Sequence, residues 1–322
     1  LEQLVSSLSK FLLGLCLLVD TAWAFPDKSV VLVVPYTASS GSDIIARILA
    51  PKLSERWKQP VIVENKPGAS GNLGTAFVAQ APADGHVLLM AINTFTMTPS
   101  VYPKLPYDPV RDFEPISKLT EAGYALAVNP QLKTKDLSAL IALSKSTTNG
   151  LYYASPGNGT PHHLAMELLK QSTGLQAMHV PYKGVQGALT DLMGGQVAMM
   201  FATVHSLRPH VHSGRLLWLA TTGAARNPSA PEVPTFKEQG VSAMDAVDAW
   251  YGVLAPARTP AELVQRLNKD FAQVLNQADV QAALAQQGMS VTTSTPAQFS
   301  ALIKSDLLRW KKVVTDAGIV AD

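Results

Sequence analysis

The sequence predicts an α/β protein of two domains joined by two chain crossings. Three observations carry this reading. Short apolar strands and amphipathic helices follow one another in β-α-β-α-β order after residue 24, the alternation restarts at residue 124, and three helices with almost no strand between them close the chain. That order is the pattern of sheets with parallel strands, covered by helices on both faces. A length of 322 residues fits about two domains on a prior of roughly 150 residues each.

The elements can be justified in order. Lys10 precedes an apolar run from Phe11 to Val19, and Ala22-Trp23-Ala24 closes the segment with a small-x-small cleavage signal. This layout predicts a secretory signal peptide over 1–24, cut after Ala24. The run is about half the roughly 20 residues needed to span a bilayer, so it is a poor permanent anchor. Val30 to Val34 is a β-branched run suited to a strand buried on both faces. Ile44, Ile45, Ile48, Leu49 and Leu53 then recur at helical spacing. Val61-Ile62-Val63 is a second strand, 71–81 a helix, and His86 to Ile92 a third strand.

The restart runs through strands at 124–128, 151–153, 177–180, 197–201 and 216–220. Helices at 136–146, 161–172, 185–193 and 205–213 separate them. A polar, Pro- and Gly-rich stretch leads to a last strand from Ala249 to Leu254. The terminal helices cannot make a domain of their own beside the second sheet, so they are expected to pack back on the first. The expected domains are 25–125, 126–248 and a return to the first over 249–322, with crossings near 124–128 and 249–254.

Composition removes several function classes. The 26 basic and 24 acidic side chains are scattered without a basic stripe, which argues against nucleic acid as a partner. Cys16 is the only cysteine and lies in the predicted leader, preceded by Leu15 rather than a small residue, so lipid attachment is not expected. The processed chain would have no thiol for disulfides, metal sites or nucleophilic catalysis. His205, His210 and His212, with His162-His163, are poorly spaced for a metal site. Asp43, Asp191 and Asp245 lack an acid-base partner, and there is no G-x-S-x-G elbow or Walker loop. Gly157-x-Gly159 lacks the third glycine of a dinucleotide fingerprint. No catalytic residue, metal or cofactor is expected.

Two loops follow strands and open helices, which is where ligands bind in open α/β sheets. One is Pro35 to Asp43, carrying Tyr36, Ser39, Ser40, Gly41, Ser42 and Asp43. The other is Ala154 to Pro161, carrying Ser155, Asn158, Gly159 and Thr160. Thr160-Pro161 has the form of an N-cap with Pro at the first helical position. Helix N-termini attract anions through unpaired amides and the helix dipole. Neither loop contains Lys or Arg, so an anion there would be held by amides, hydroxyls and water. Each loop also reads as an ordinary capped turn.

With these residues in place, the chain resembles the extracytoplasmic receptors of tripartite tricarboxylate transporters, the Bug or TctC-like family. The first-domain matches are Val33-Val34-Pro35-Tyr36 through Ser42-Asp43, Pro60 to Ala69, Gly71-Asn72, Gly74, and Ala83-Asp84-Gly85. In the second domain they are Tyr153 to Thr160, His163-Leu164-Ala165, Val180 to Gly184, Leu189 to Leu192 and Gly194 to Val197. Pro231 to Thr235, Gly240 and Trp250-Tyr251-Gly252 follow.

The resemblance implies a type II periplasmic binding protein fold with a ligand cleft between its domains. It also implies a small carboxylate ligand held by the first loop and by waters. It adds Asn93 and Thr94 after the third strand, and the strand end Phe201-Ala202-Thr203, as cleft residues. Two departures stand out: Thr37-Ala38-Ser39-Ser40-Gly41 replaces a Pro-Pro-Gly-Gly type run, and Ala202 stands where the family often has an acid or amide. The second departure suggests a carboxylate ligand that needs no amine.

The expectation is a periplasmic receptor that closes on a small organic carboxylate of the dicarboxylate, tricarboxylate, aromatic acid or amino acid class. It would deliver this ligand to the membrane subunits of a tripartite tricarboxylate transporter. The rival readings are a periplasmic sensor feeding a signalling system, an exported enzyme on the same fold, and a regulator's effector domain.

Overall fold

In a computed structural model of the chain, residues 25–319 are described, apart from 39, 103 and 149. The expected leader with Cys16, and Ser39 of the first loop, lie outside the described residues.

The first sheet is ordered β2 (Val61–Asn65), β1 (Val30–Val34), β3 (Val87–Ile92), β9 (Asp248–Pro256) and β4 (Phe113–Val128), with β10 (Ser290–Val291) on the far edge of β4. The second contains β4 again, flanked by β8 (Leu217–Thr221) and β7 (Met199–Thr203), followed by β5 (Leu151–Ser155) and β6 (Ala177–Pro181). Neighbours β2-β1-β3 and β6-β5-β7 are parallel, while β4 and β9 run antiparallel to their neighbours. The expected α/β architecture is therefore present, with two sheets that share β4 and a second crossing of the chain into β9.

The joint is one continuous 16-residue strand. Residues 113–123 of β4 lie against β9, with Gly123 opposite Asp248. From Tyr124 onward the same strand lies between β7 and β8, with Tyr124 opposite Thr203. The sequence reading found only its apolar end, 124–128. The earlier part alternates buried Ile116, Leu119 and Ala122 with polar positions and contains Pro115. Register shifts on either side of Ser117–Lys118 mark bulges, which increase local twist.

Each sheet is buried on both faces. Val30, Leu32 and Val34 pack with Ile45, Leu49 and Leu53 of α1 (Gly41–Trp57) and with Leu267 and Phe271 of α8 (Ala261–Leu275). Val33, Leu89 and Trp250 face the other way, onto Val78 of α2 (Asn72–Ala79). In the second sheet Tyr153, Met199 and Phe201 lie under Leu164 and Leu169 of α5 (Pro161–Thr173). Ala154, Met200 and Ala202 lie under Leu192 of α6 (Val185–Met193) and Leu207 of α7 (Val204–His212). This alternation of faces is the period-2 consequence of strand geometry.

Three expectations need adjustment. The strand expected at 197–201 runs from Met199 to Thr203, so Thr203 ends the strand itself. A helix the sequence reading did not place, α3 (Thr94–Val101), follows β3; its Pro99 and threonines weaken the helical signal. The terminal helices α8, α9 (Ala278–Gln286) and α10 (Pro296–Ala317) are present, but α10 is not confined to the first sheet. Phe299 and Ile303 join the first-sheet core, whereas Trp310, Val313 and Val314 join the second. Among the described residues no helix is long and apolar enough to cross a membrane.

Candidate functional site

The first loop leaves β1 at Val34 and enters α1 through Ser40. The Ser40 hydroxyl accepts from the Asp43 amide at 3.4 Å and its carbonyl from the Ile44 amide at 2.9 Å. A helix leaves its first-turn amides without intrahelical acceptors, so those of Gly41 and Ser42 remain at the helix mouth. The ring of Tyr251, on β9, sits directly against Gly41, where any Cβ would collide with it. Tyr36 hydrogen-bonds Thr94, the first residue of α3, and lies 3.3 Å from the Ser70 carbonyl. A Cβ on Gly71 would come within 2.8 Å of the Tyr36 hydroxyl. The sequence-predicted Tyr36, Gly41 and Thr94 are thus brought together around a phenol that sequence reasoning did not assign.

Burial pushes the Tyr251 phenol up to about 12 and the Tyr36 phenol up as well. Both stay protonated near neutrality, and the Tyr36 hydroxyl donates to the Ser70 carbonyl. Asp43 is buried and engaged: its carboxylate accepts from Arg47 Nε and Asn65 Nδ2, each at 2.9 Å. Asn65 also donates to the Tyr36 carbonyl at 3.0 Å. Asp43 therefore braces the loop from behind. Ser42 is buried, its hydroxyl 3.4 Å from that of Ser40.

Asn93 lies where the sheets part. Its side chain donates to the Asp248 carbonyl at 2.8 Å, its amide donates to the Trp250 carbonyl at 3.2 Å, and the Tyr124 phenol bonds its side chain. Beside it, Lys118 of β4 forms ion pairs with Glu121 and, at 3.2 Å, with Asp248. Burial and the Glu121 carboxylate push Asp248 up to about 7 against the pull of Lys118. Glu121, although burial raises it, is held below its usual range by Lys118.

The second loop is differently occupied. The Ser155 hydroxyl is buried, 2.6 Å from His179 Nε2, and accepts from the Gly157 amide at 3.1 Å. The Gly159 amide donates to His163 Nδ1 at 3.0 Å. Thr160 caps α5 and donates to the Gly157 carbonyl at 2.8 Å. Asn158 is half-buried within the loop. Behind it the rings of His163 and His179 stack at 3.8 Å, and Tyr153 donates to Glu167 at 2.5 Å. Burial, with His179 and Lys170 nearby, lowers His163 to about 3. Gly159 approaches Val101 at the end of α3, where a Cβ would come within 2.9 Å, so the second loop reaches the first domain there. Thr203, the cap position of α7, donates to Ser206 at 3.0 Å.

The structure corrects the reading of Ala202. It is fully buried among Ala188, Val204 and Leu207, because strand alternation turns it toward α6 and α7, away from Phe201. It lines no cleft, and its lack of charge does not bear on a ligand amine. Sequence reasoning also missed Tyr124, Tyr251, Lys118, Glu121 and Asp248. Only Tyr251 carried a signal, as part of Trp250-Tyr251-Gly252 at the second crossing. Among the described residues no group of three His, Cys, Asp or Glu side chains is placed to hold a metal ion.

Comparison with known proteins identifies the family and the fold. The model of the family described as "Tripartite tricarboxylate transporter family receptor" matches residues 45–319. Protein BugT of Bordetella pertussis is 33% identical over 300 residues, 92% of each chain. Among solved structures, an R. palustris protein with adipate is 31% identical with a TM-score of 0.77, covering 92% of this chain and 100% of that one. MatC of Rhodopseudomonas palustris with bound malate is 32% identical with a TM-score of 0.74, covering 90% and 100%. This fold is that of periplasmic binding proteins.

Proposed function

This chain belongs to the tripartite tricarboxylate transporter receptor family, and from that premise we propose that it captures a small organic carboxylate between its two sheets and delivers it to the membrane subunits of such a transporter. The supporting observation is the mouth of α1. Gly41 lies against the protonated phenol of Tyr251, with the Tyr36 phenol close to that of Tyr251, where first-turn amides of α1 lack intrahelical acceptors. The neighbouring cations Arg47 and Lys118 are held by Asp43, Glu121 and Asp248. A carboxylate bound there accepts hydrogen bonds from neutral donors aided by the helix dipole. Such binding is reversible, as transport requires. Asn93, Thr94 and the second loop with Ser155, Asn158, Gly159, Thr160 and Thr203 complete the cleft. Closure follows because a ligand touching both domains binds the closed form better than the open one. Residues 1–24 export the chain to the periplasm, and the site performs no catalysis. Adipate and malate, held by two relatives, are the first ligands to try.

The test is native mass spectrometry of the protein recovered from its own periplasm, followed by thermal-shift measurements with adipate, malate and a wider carboxylate panel. A bound small-acid mass, or a rise in Tm with one acid, is the expected result. An empty protein that no carboxylate stabilises would remove the proposal.

A further inference from the structure

We propose that Glu121, Asp248 and Lys118 form a proton-binding site at the joint between the two sheets, and that proton occupancy biases the opening of the cleft. The argument begins with position. Asp248 is the first residue of β9, where the chain returns to the first sheet, and Gly123 opposite it is the last residue of β4 paired there. Glu121 and Lys118 precede that point on β4. Any rotation between the sheets acts on the backbone at 123–124 and 247–248, so Asp248 lies at the axis, with Glu121 and Lys118 beside it on the first-sheet side.

The chemistry follows from the contacts. Lys118 is paired with both carboxyl groups, with Glu121 and, at 3.2 Å, with Asp248. Two ionised carboxylates in contact repel, so a site with one cation is neutral when it holds one proton and carries an excess negative charge when it holds none. With the proton bound, a carboxylic acid donates to its neighbour and the contact seen here is favoured. Without it, the repulsion is relieved by separating Asp248 from Glu121 and admitting water.

Among the described residues no second cation is paired with either carboxyl group. Tyr124 of β4 senses Asp248, and Asn93 donates to the Asp248 carbonyl. From α10, Asp306 senses Lys118, while Arg309 is paired with Asp306 at 3.2 Å. In the chain before β9, Asp245 faces Lys237 at 3.6 Å. Burial pushes Asp248 up to about 7, which places the exchange near neutral pH. Asn93 and Tyr124 are its contacts with the cleft proposed above; the inference rests on that reading for its biological meaning but not for its test.

The test uses the full chain without ligand, carrying Cys16→Ser and single cysteines at the exposed positions Gln80 and Thr190, one in each domain. Spin labels there report the inter-domain distance from about pH 5.5 to about pH 8.5, a range that brackets the exchange. The expected result is a shift toward longer distances as pH rises, with a midpoint near 7, that is lost in Asp248→Asn and in Glu121→Gln. A pH-independent distance in the parent chain, or an undiminished shift in both variants, would overturn the proposal. If the variants do not fold, carbon-13 titration of the parent's side-chain carboxyls decides. A carboxyl with the same midpoint as the distance change supports the site, and its absence refutes it. Because no ligand enters, loss of the hinge response and loss of carboxylate binding are separate failures.

Discussion

The two loops that open helices toward the seam look alike in sequence and differ in what their donors do. Around Ser40 and Gly41, hydroxyl and carbonyl groups satisfy the deeper amides of the turn, and the Tyr251 ring stands against the first helical residue, Gly41. Around Ser155 and Thr160, the chain consumes its own donors: Gly157 and Gly159 amides go to Ser155 and His163, and the Thr160 hydroxyl goes to the Gly157 carbonyl. Small hydroxyl residues and glycine therefore do not by themselves mark an anion site. The second loop spends its donors on holding its own shape, whereas the first does so only in its deeper turn.

The strongest way to break this comparison is Gly41→Leu. The new side chain fills the mouth of α1 and displaces the Tyr251 ring, so carboxylate affinity should fall at least about 100-fold, roughly 2.8 kcal/mol, with stability lowered by about 1–3 kcal/mol from the overpacking. Titration calorimetry with the acid identified by mass spectrometry reads this directly; undiminished affinity would place recognition elsewhere. Next, Ser155→Ala strands the Gly157 amide and the His179 ring. It should cost about 1–3 kcal/mol of stability, seen as a lower urea midpoint with the m-value unchanged. A neutral result would mean that the second loop is not self-held.

Acid should separate the loops further. Burial lowers His162 to about 4, and burial with His179 and Lys170 lowers His163 to about 3. Both are depressed in the folded state, so their neutral forms contribute stability above the unfolded value of about 6.5. This stability is lost as pH falls from there toward the folded values, because the unfolded chain takes up protons first. The Tm should decline through that window, and His163→Gln should flatten the decline. An equal slope in the variant would show that His163 does not carry it. The smallest expected effect is Tyr251→Phe: one hydrogen bond to a carboxylate, about 1.5 kcal/mol, or roughly ten-fold in affinity, with no change in the urea midpoint. A drop in stability instead would make the phenol structural.

How much of this was legible in sequence follows from the range of the interactions. Apolar strands such as Val30–Val34, and helices with clear periodicity, are local signals, and they appear close to where they were read. The front half of β4 was hidden because its polar residues alternate with buried ones around Pro115, and α3 because Pro99 interrupts it. At the site, the caps Ser40 and Thr160 were readable because capping is local. Tyr251 beside Gly41, and Asp248 beside Glu121, were not. Those meetings depend on strand pairing between segments more than a hundred residues apart, which no window of sequence contains. Ala202 was misplaced for a related reason: the strand was expected to end at Phe201, and only the pairing of Ala202 with Ala125 of β4 shows that it continues to Thr203.

The helix α10 has a mechanical consequence. Its first half is rooted in one core through Phe299 and Ile303, its second half in the other through Trp310 and Val314, and Leu308 between them is 73% exposed. It is a tie-bar bolted to both halves of a clamp. Any swing of the jaws must flex that bar or slide one of its anchorages, so the stroke has a stop remote from whatever the jaws hold. Selection acting on the length, stiffness or grip of the bar could retune how tightly the clamp holds its cargo while leaving every residue that touches the cargo untouched.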